Sequence, residues 1–444
     1  MLPVIALVGR PNVGKSTLFN YLTHSRDALV ADQPGLTRDR KYGISRLGHL
    51  PCVVVDTGGL GGATDGVAVL SEQQAALAIE EANHILFLVD AQAGCLGWDQ
   101  QLAERLRRTG KPVTVVINKA ENKDPNLVSI DFHQLGIGLP VPISASHGHG
   151  IQQLIDQVLA NMTTSIAETA TTENQNSGII TAVVGRPNVG KSTLINRLLG
   201  EDRLITFDQP GTTRDSQFIS LQRDNDVYTL IDTAGVRRRG RITAVIEKFS
   251  VIKTLQAIEQ SQVVLLILDA HAELADQDAS LAGHILESGK ALVVAVNKWD
   301  GLTTDNRDRF RSEVARKLGF LDFAAWHYIS ALYGSGVGHL LSSVKHAYAN
   351  ATCDLATPIL NRILNQSTLN HPPPLIRGHR IKLRYAHQGG RNPPIIVIHG
   401  NQTATLPENY IRYLTNQFRQ GLKLSGTPIK FIFKTSDNPY KDRR

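Results

Sequence analysis

Residues 9–18 read GRPNVGKSTL, and residues 185–194 read the same ten letters again, 176 positions later. Both segments fit the pattern G-x-x-x-x-G-K-S, in which the glycines let the backbone wrap around a phosphate with its N–H groups pointing inward. The lysine of this pattern reaches the β- and γ-phosphates, and the serine hydroxyl reaches Mg²⁺. A glycine-rich turn that binds nothing does not explain two identical copies, so the sequence predicts two nucleotide-phosphate sites.

The repetition continues along the chain in an unchanged order, while the offset grows from 176 to 186 as loop insertions would make it grow. The paired segments are DQPGLTRD (32–39) with DQPGTTRD (208–215), DTGG (56–59) with DTAG (232–235), NKAE (118–121) with NKWD (297–300), and SAS (144–146) with SAL (330–332). The sequence therefore predicts a duplicated domain, at 1–162 and 179–350. Residues 163–178, which are polar and rich in Thr and Asn, are predicted to form a flexible linker.

Within each copy, short β-branched runs alternate with longer amphipathic stretches. In the first copy the predicted strands are 4–8, 52–55, 85–89 and 113–117, and the predicted helices include 71–82 and 99–108. This alternation predicts an α/β fold, a parallel sheet with helices on both faces, in which ligands bind at the carboxyl ends of the strands. Every paired segment follows a predicted strand, so both copies are predicted to be P-loop domains.

Residues 351–436 form a third predicted domain of the α+β class, and residues 437–444 form a basic tail. Its predicted elements are a helix at 355–366, strands at 379–388 and 394–400, a helix at 407–422 and a strand at 428–434. From residue 351 to the end there are 14 Lys and Arg but 4 Asp and Glu, whereas residues 1–350 carry a net charge of −3. A basic domain on a near-neutral protein indicates an anionic partner, with nucleic acid the first candidate.

The NKxD segments decide which base is bound. In the second copy, the carboxylate of Asp300 can accept hydrogen bonds from both the ring N–H and the amino group of guanine, whereas adenine presents the opposite pattern. An ATP-driven enzyme, the first alternative, is disfavoured for this reason. The first copy ends in Glu121, whose side chain is longer by one C–C bond of about 1.5 Å and must fold back to make the same two bonds. We therefore expect weaker or less selective guanine binding at the first site.

Nucleotide-contacting residues are predicted at corresponding positions of the two copies. In the first copy they are Gly9, Arg10, Pro11, Asn12, Val13, Gly14, Lys15, Ser16, Thr17, Asp56, Thr57, Gly58, Gly59, Leu60, Asn118, Lys119, Ala120, Glu121, Ser144 and Ala145. In the second copy they are Gly185, Arg186, Pro187, Asn188, Val189, Gly190, Lys191, Ser192, Thr193, Asp232, Thr233, Ala234, Gly235, Val236, Asn297, Lys298, Trp299, Asp300, Ser330 and Ala331. The predicted magnesium ligands are Ser16, Thr37, Asp56, Ser192, Thr213 and Asp232, and the predicted catalytic residues are Lys15, Thr37, Lys191 and Thr213.

The switch threonines and the position after DxxG bear on hydrolysis. Thr37 and Thr213 lie in glycine-flanked segments, where a threonine can close on Mg²⁺ while the γ-phosphate is present and then release it; the alternative is that they are ordinary loop residues. Many GTPases place a glutamine after DxxG to orient the attacking water, but here Leu60 and Val236 occupy that position. Hydrolysis is therefore slow or assisted from elsewhere. A non-catalytic RNA-binding scaffold that uses GTP only for folding is the second alternative.

Two GRPNVGKST loops, two PGxTRD segments, DTGG, DTAG and a basic C-terminal domain together resemble the bacterial tandem-domain GTPases of the Der family, also called EngA, over nearly the whole chain. The resemblance implies hydrolysis of GTP to GDP with Mg²⁺, a role in assembly of the large ribosomal subunit with its RNA as partner, and a third domain like the KH fold. It also implies K⁺ as an activating ion near Asn12 and Asn188, where a cation could offset charge as an arginine finger does. The alternative is that these asparagines only cap the backbone of their own loop.

The third domain departs from RNA-gripping KH domains, which use a GxxG loop. The chain reads GNQTATLPEN before the predicted helix at 407–422, so no such loop is found there. Salt-sensitive phosphate contacts from basic side chains are expected instead, with solvated surface charges as the alternative. The basic residues concerned are Arg380, Lys382, Arg384, Arg391, Arg412 and Arg419.

The composition limits the remaining possibilities. Cys52, Cys95 and Cys353 are far apart, so neither a disulfide framework nor a zinc site is predicted. The longest apolar runs, such as 263–268, are well below the ~20 residues that a membrane span needs. We expect a cytoplasmic protein without a membrane or DNA partner.

Overall fold

The computed structural model describes residues 2–23, 29–30, 41–57, 76–121, 124–167, 178–201, 217–223, 226–232, 251–376 and 379–435. The chain divides into two compact units, residues 1–175 with 250–256 and residues 176–249 with 257–444. Several predicted site residues lie outside the described residues, namely Thr37, Gly58, Gly59, Leu60, Thr213, Thr233, Ala234, Gly235 and Val236.

The first unit contains a mixed sheet in the order β2-β3-β4-β1-β5-β6-β7. Its strands are β1 Val4–Val8, β2 Leu29–Val30, β3 Lys41–Ser45, β4 Cys52–Asp56, β5 His84–Asp90, β6 Val113–Asn118 and β7 Val141–Pro142. The sheet is parallel as predicted except at its edge, where β3 runs antiparallel to β4 and β2 antiparallel to β3. Six residues separate β3 from β4, and a parallel crossover needs a dozen or more.

Helices cover both faces of this sheet, as predicted. Their bounds are Lys15–Thr23, Gly97–Arg108, Pro125–Ile130 and Ile151–Ala167, and residues 76–81 are also helical. One core cluster joins Leu18 and Leu154 to the sheet, and a second joins Leu102 and Phe132 to it from other helices and loops. Strands β1, β4 and β5 are buried along their whole length, which explains their uninterrupted apolar runs.

The second repeat builds a sheet in the order β13-β12-β11-β8-β10-β9. Its strands are β8 Ile179–Val184, β9 Gln217–Arg223, β10 Asp226–Asp232, β11 Val263–Asp269, β12 Ala291–Asn297 and β13 Ala325–Tyr328, and its helices are Lys191–Glu201, Val251–Gln260, Asp276–Ser288, Thr304–Lys317 and Leu340–Thr352. The edge strand β9 is again antiparallel to its neighbour. The two repeats therefore share the same departure from a fully parallel sheet.

The third domain contains the helix Thr357–Asn370, strands β14 Leu375–Ile376, β15 His379–Arg380, β16 Lys382–Gly390 and β17 Ile395–Asn401, the helix Glu408–Leu422, and strand β18 Lys430–Thr435. Its two helices and its three-stranded sheet follow the predicted order α-β-β-α-β, and a separate two-stranded sheet of β14 and β15 is added after the first helix. Strand β16 is antiparallel to β17, and β18 is parallel to β17. Leu360, Leu364, Ile396, Leu414 and Phe418 join both helices to one face of this sheet in a single core.

The third domain is joined to the second repeat by the backbone of Gly426. The Leu292 N–H donates a 2.7 Å hydrogen bond to the Gly426 carbonyl, and the Gly426 N–H donates a 2.7 Å bond to the Phe323 carbonyl. Gly426 has a φ of +73°, and a Cβ there would lie 2.6 Å from the Cβ of Ala347. This junction therefore requires glycine.

Two helices extend across predicted boundaries. The helix Ile151–Ala167 continues into the predicted linker, so residues 163–167 are helical, and residues 168–177 lie outside the described residues. The helix Leu340–Thr352 includes residues 351 and 352, which the sequence had assigned to the third domain. Among the described helices, none is both long and apolar enough to cross a bilayer.

Candidate nucleotide-binding sites

Each phosphate loop connects the central strand of its sheet to a helix, β1 to Lys15–Thr23 and β8 to Lys191–Glu201. The second glycine of each loop, Gly14 or Gly190, has a φ of +96° or +98°. A Cβ at these positions would lie 2.2 Å from the Nδ2 atom of Asn118 and 2.3 Å from that of Asn297. At both positions, the positive φ and the close approach of the asparagine amide exclude any residue that has a Cβ atom.

The loop lysines are buried within their own loops. The Nζ atom of Lys15 donates hydrogen bonds of 2.9 Å to the Gly9 carbonyl and 2.8 Å to the Arg10 carbonyl. Lys191 makes the same bonds at 3.0 and 2.8 Å. Burial lowers the pKa of Lys15 to about 8, against the opposing effect of the Asp56 carboxylate. The ammonium group therefore lies where the loop would hold phosphate oxygens.

Two of the three predicted magnesium ligands of the first copy, Ser16 and Asp56, are in contact. The Ser16 hydroxyl donates a 2.7 Å hydrogen bond to the Oδ2 atom of Asp56. Asp56 is buried and is the last residue of β4. In the second copy Ser192 begins a helix in the same way, and buried Asp232 ends β10. A hydroxyl beside a carboxylate suits Mg²⁺, which binds through one or two such oxygens together with the substrate phosphates. When bound, the ion neutralises charge that develops on the phosphates.

The asparagine of each NKxD segment connects two loops. One is the phosphate loop, and the other is the SAS or SAL segment, here called the base-reading loop. Asn118 donates a 2.8 Å bond to the Val13 carbonyl and accepts a 2.9 Å bond from the Ala145 N–H. In the second copy Asn297 bonds the corresponding groups at 2.7 and 2.8 Å. Both asparagines are predicted to contact the nucleotide, and in the structure each amide also bonds protein groups at both of its ends.

The lysines of the NKxD segments lie over the phosphate loops. The Nζ atom of Lys119 bonds the Asn12 carbonyl at 3.0 Å and Asp90 at 2.7 Å. Lys298 repeats this arrangement with the Asn188 carbonyl at 3.0 Å and Asp269 at 2.5 Å. The sequence reasoning missed both aspartates, although each ends the strand before its NKxD strand.

A second pair of missed carboxylates anchors the arginines of the phosphate loops. Arg186 forms a two-point ion pair with Asp278, at 2.9 Å from Nε and 2.8 Å from the terminal nitrogen. Arg10 faces Asp99 at 3.4 Å only. Both aspartates are buried, and burial raises the pKa of each carboxyl against the opposing effect of the arginine. The second phosphate loop is therefore held more tightly than the first.

The surroundings of the NKxD carboxylate differ between the two copies. In the second copy Asp300 is exposed, and the ring of the neighbouring Trp299 packs 4.3 Å from the ring of Tyr328. In the first copy Glu121 lies beside Ser144, whose hydroxyl is 3.0 Å from the Nδ1 atom of His147. The two sites therefore share their phosphate chemistry but not the surroundings of the base-reading carboxylate.

The asparagines proposed as potassium ligands have an unusual backbone. Asn12 and Asn188 are exposed and have φ values of +65° and +62°. Asparagine adopts this left-handed conformation more readily than most residues. The conformation by itself is a reason for asparagine at both positions, in line with the alternative that these residues serve their own loop.

Family models match all three domains. A model described as "50S ribosome-binding GTPase" matches residues 4–119 and 180–298, and one described as "KH-domain-like of EngA bacterial GTPase enzymes, C-terminal" matches residues 355–434. The chain is 56% identical over 444 residues to the GTPase Der of Thioalkalivibrio sulfidiphilus, covering 100% of this chain and 96% of that one. The chain belongs to the Der family of GTPases. Its two nucleotide centres are therefore those of a GTP-hydrolysing Der-family enzyme, which confirms the predicted family, fold class and activity.

A second curated relative agrees with membership of the Der family. The GTPase Der of Citrobacter koseri is 52% identical over 468 residues, covering 100% of this chain and 96% of that one. Among solved structures, Aquifex aeolicus Era with GDP·AlF₄⁻ is 30% identical, covers 36% of this chain and 56% of that one, and has a TM-score of 0.32.

Proposed function

We propose that this GTPase acts as a switch in maturation of the large ribosomal subunit, with that subunit and its RNA as partners in the cytoplasm. The observation that carries the proposal is the attachment of a basic KH-like domain to the second GTPase domain through the hydrogen bonds of Gly426. Such a fixed junction is a physical route by which a change at the second nucleotide site can reach an RNA-binding surface. The family description as ribosome-binding supports the same partner.

The RNA-facing charges of the third domain are a smaller set than the sequence suggested. Arg419 forms a 2.6 Å ion pair with Asp322, and Arg391 pairs with Asp354. The side chains of Lys382, Arg384 and Arg412 are exposed, whereas the side chain of Arg380 is not among those that the structure describes. We propose that these three exposed side chains contact RNA phosphates. RNA affinity should then fall with rising salt, because the release of counterions from the RNA becomes less favourable as the salt concentration increases.

The first test is genetic. In cells depleted of the natural protein and supplied with the Lys15→Ala, Lys191→Ala double variant, immature large subunits are expected to accumulate while small subunits mature. Supply of the wild-type chain should restore the normal sucrose-gradient profile. Normal large subunits with the double variant, or a defect confined to small subunits, would contradict the proposal.

Potassium activation is proposed for the two phosphate loops, because neither Leu60 nor Val236 can orient the attacking water. A monovalent cation held beside Asn12 or Asn188 would supply charge during hydrolysis. The substitution Asn188→Gly separates this role from the backbone role, since glycine tolerates the left-handed φ but lacks the amide. In a Lys15→Ala background it should keep GDP affinity and lose the higher turnover in K⁺ than in Na⁺. Equal turnover of the unmodified second site in both salts would contradict potassium activation.

The switch roles of Thr37 and Thr213 rest on their sequence position alone. We propose that each closes on Mg²⁺ when the γ-phosphate is present, with Gly59 or Gly235 offering a backbone N–H nearby. The substitution Thr213→Ala should reduce turnover at the second site with little loss of GDP affinity, because GDP lacks the γ-phosphate. Unchanged single-turnover hydrolysis would show that this threonine is an ordinary loop residue.

A further inference from the structure

The three-stranded sheet of the third domain, β16-β17-β18, has its two helices on one face only. Ala386, Ile396 and Ile398 point into the core that those helices close. Because successive side chains of a strand point to opposite faces, the neighbours of these residues lie on the other face of the sheet. That second face, here called the outer face, carries Tyr385, His387, Val397, His399, Ile432 and Lys434.

Three rings of the outer face lie together. The ring centroids of His387 and His399 are 5.2 Å apart with 23° between the ring planes, and the ring of Tyr385 lies 5.7 Å from that of His387 and 6.1 Å from that of His399. Tyr385 is directly opposite His399 across β16 and β17. The three side chains therefore form one aromatic surface, here called the ring platform.

The ring platform is open to solvent. Tyr385 at one end of the outer face is 45% exposed, and so is Ile432 on β18. His387 and His399 are half-buried between them. Large apolar and aromatic side chains that are exposed in one group mark a site of interaction rather than a scattered surface residue.

The charge around the ring platform is positive. The strands β16, β17 and β18 contain neither Asp nor Glu. Lys434 is exposed and lies opposite His399 in the register of β17 and β18. Lys382 and Arg384 are exposed on β16, just before Tyr385. A stacking surface bordered by cations fits a polyanion that carries flat rings, which is the chemistry of unpaired nucleic acid.

The unpaired form of RNA fits the ring platform better than a duplex does. In a duplex each base is stacked between its neighbours, whereas an unpaired base can present its face to an aromatic or histidine ring. The third domain also lacks a GxxG loop before the helix Glu408–Leu422, so that route to single-stranded RNA is not offered there. The outer face of the sheet supplies a different route.

We propose that the ring platform binds unpaired RNA bases by stacking, while Arg384 and Lys434 hold the phosphates that connect those bases. The inference rests on the proposed function, from which it takes RNA as the partner. It adds the kind of RNA segment that is bound and the surface that binds it. The phosphate contacts alone would not distinguish a single strand from a duplex.

The first test is fluorescence anisotropy of a labelled oligoadenylate of about 12 nucleotides with the full-length chain, compared with an RNA duplex of the same length. The chain should bind the single strand at least about fivefold more tightly than the duplex. Tyr385→Leu keeps the apolar bulk and removes the ring, so it should weaken single-strand binding at least about fivefold, whereas Tyr385→Phe should stay within about twofold of the wild type. Equal affinities for single strand and duplex, or an unchanged affinity for Tyr385→Leu, would overturn the proposal.

Phe320→Ala is the matched control for the removal of an exposed aromatic ring. Phe320 is 41% exposed, close to the value for Tyr385, but it lies in the second repeat and not on the outer face. This variant should bind the single strand as the wild type does. A loss equal to that of Tyr385→Leu would overturn the assignment to the ring platform.

Photo-crosslinking locates the bound base without any substitution. An oligouridylate that carries 5-iodouridine is irradiated in complex with the wild-type chain, which is then digested with trypsin. Cleavage after Arg384 and Arg391 releases residues 385–391, which include Tyr385 and His387. The crosslink should fall in this peptide. Crosslinks that fall only in other peptides would overturn the proposal.

Two further outcomes separate this inference from its alternatives. A dimer of the free chain that dissociates in Tyr385→Leu, with unchanged RNA affinity, would show that the outer face pairs two copies and would overturn the proposal. Salt-sensitive binding to large ribosomal subunits without any single-strand preference would remove the inference and leave the proposed function intact. Failure to bind either the oligonucleotides or the large subunit would contradict both.

Discussion

The side-chain amide of Asn297 donates a 2.7 Å hydrogen bond to the carbonyl of Val189, which lies 108 residues earlier in the chain. Its carbonyl oxygen accepts a 2.8 Å bond from the Ala331 N–H in the base-reading loop. Asn118 repeats this relationship with Val13 and Ala145 in the first copy. One buried amide thus fixes the phosphate loop and the base-reading loop to each other in each site.

Removing that amide should weaken the whole site. The substitution Asn297→Ala leaves the Val189 carbonyl and the Ala331 N–H without their partner, and each unsatisfied buried group costs about 1–3 kcal/mol. In a Lys15→Ala background, GDP affinity should therefore fall at least about tenfold. The exposed Asn365→Ala is the control and should change nothing. A loss below twofold for Asn297→Ala would show that the nucleotide itself organises the two loops.

The buried lysine of the first phosphate loop predicts a pH dependence of binding. Burial lowers the pKa of Lys15 to about 8 in the nucleotide-free protein, with the Asp56 carboxylate opposing the shift. Phosphates bind the protonated form, so first-site GDP affinity should fall about sixfold between pH 7 and pH 8.8 as the protonated fraction declines. Calorimetry in two buffers of different ionisation enthalpy should detect proton uptake near pH 8.8.

The same group contributes to stability with a defined sign. Because the folded pKa of Lys15 lies below its ordinary value of 10.5, the buried ammonium destabilises the nucleotide-free fold below about pH 8. That destabilisation is relieved as the pH rises from about 8 to 10.5, where the unfolded chain binds more protons. Lys15→Ala should abolish this pH-dependent change in the free energy of unfolding. A pH-independent first-site affinity in the unmodified chain would contradict the assignment.

The junction at Gly426 predicts coupled unfolding of the second and third domains. Valine at this position would combine a strained φ of +73° with a Cβ 2.6 Å from that of Ala347, which should lower the free energy of unfolding by about 2 kcal/mol. Urea titration should then show the third domain unfolding separately. Gly283→Ala, in a helix with open space around its Cβ position, is the control and should stabilise by about 0.5–1 kcal/mol. A single unshifted transition for Gly426→Val would refute the junction.

The sequence was sufficient for the parts of the site that are local. The phosphate loops, strand positions and third-domain order follow from short motifs and periodicities, and the structure places them as expected. The carboxylates Asp90 and Asp99 were not found, because each acts on a segment far away in the chain. They could have been: Asp269 and Asp278 stand 179 positions later, the same offset that relates Asn118 to Asn297.

Other parts of the fold depend on contacts between distant residues, which the pattern of the sequence does not reveal. The antiparallel strands β3 and β9 look like any buried strand in a pattern of apolar residues, and only their short connections to β4 and β10 indicate their direction. In the sequence, Gly426 looks like an ordinary turn glycine, and only the structure shows that it packs against Ala347.

The most direct test of two working sites is phosphate release from GTP, measured in K⁺ with large ribosomal subunits present, for the wild type, Lys15→Ala, Lys191→Ala and the double variant. Each single variant should retain part of the wild-type turnover, and the double variant should retain none. Turnover by the double variant at the wild-type rate, or complete loss in either single variant at saturating GTP, would contradict a GTPase with two independently competent sites.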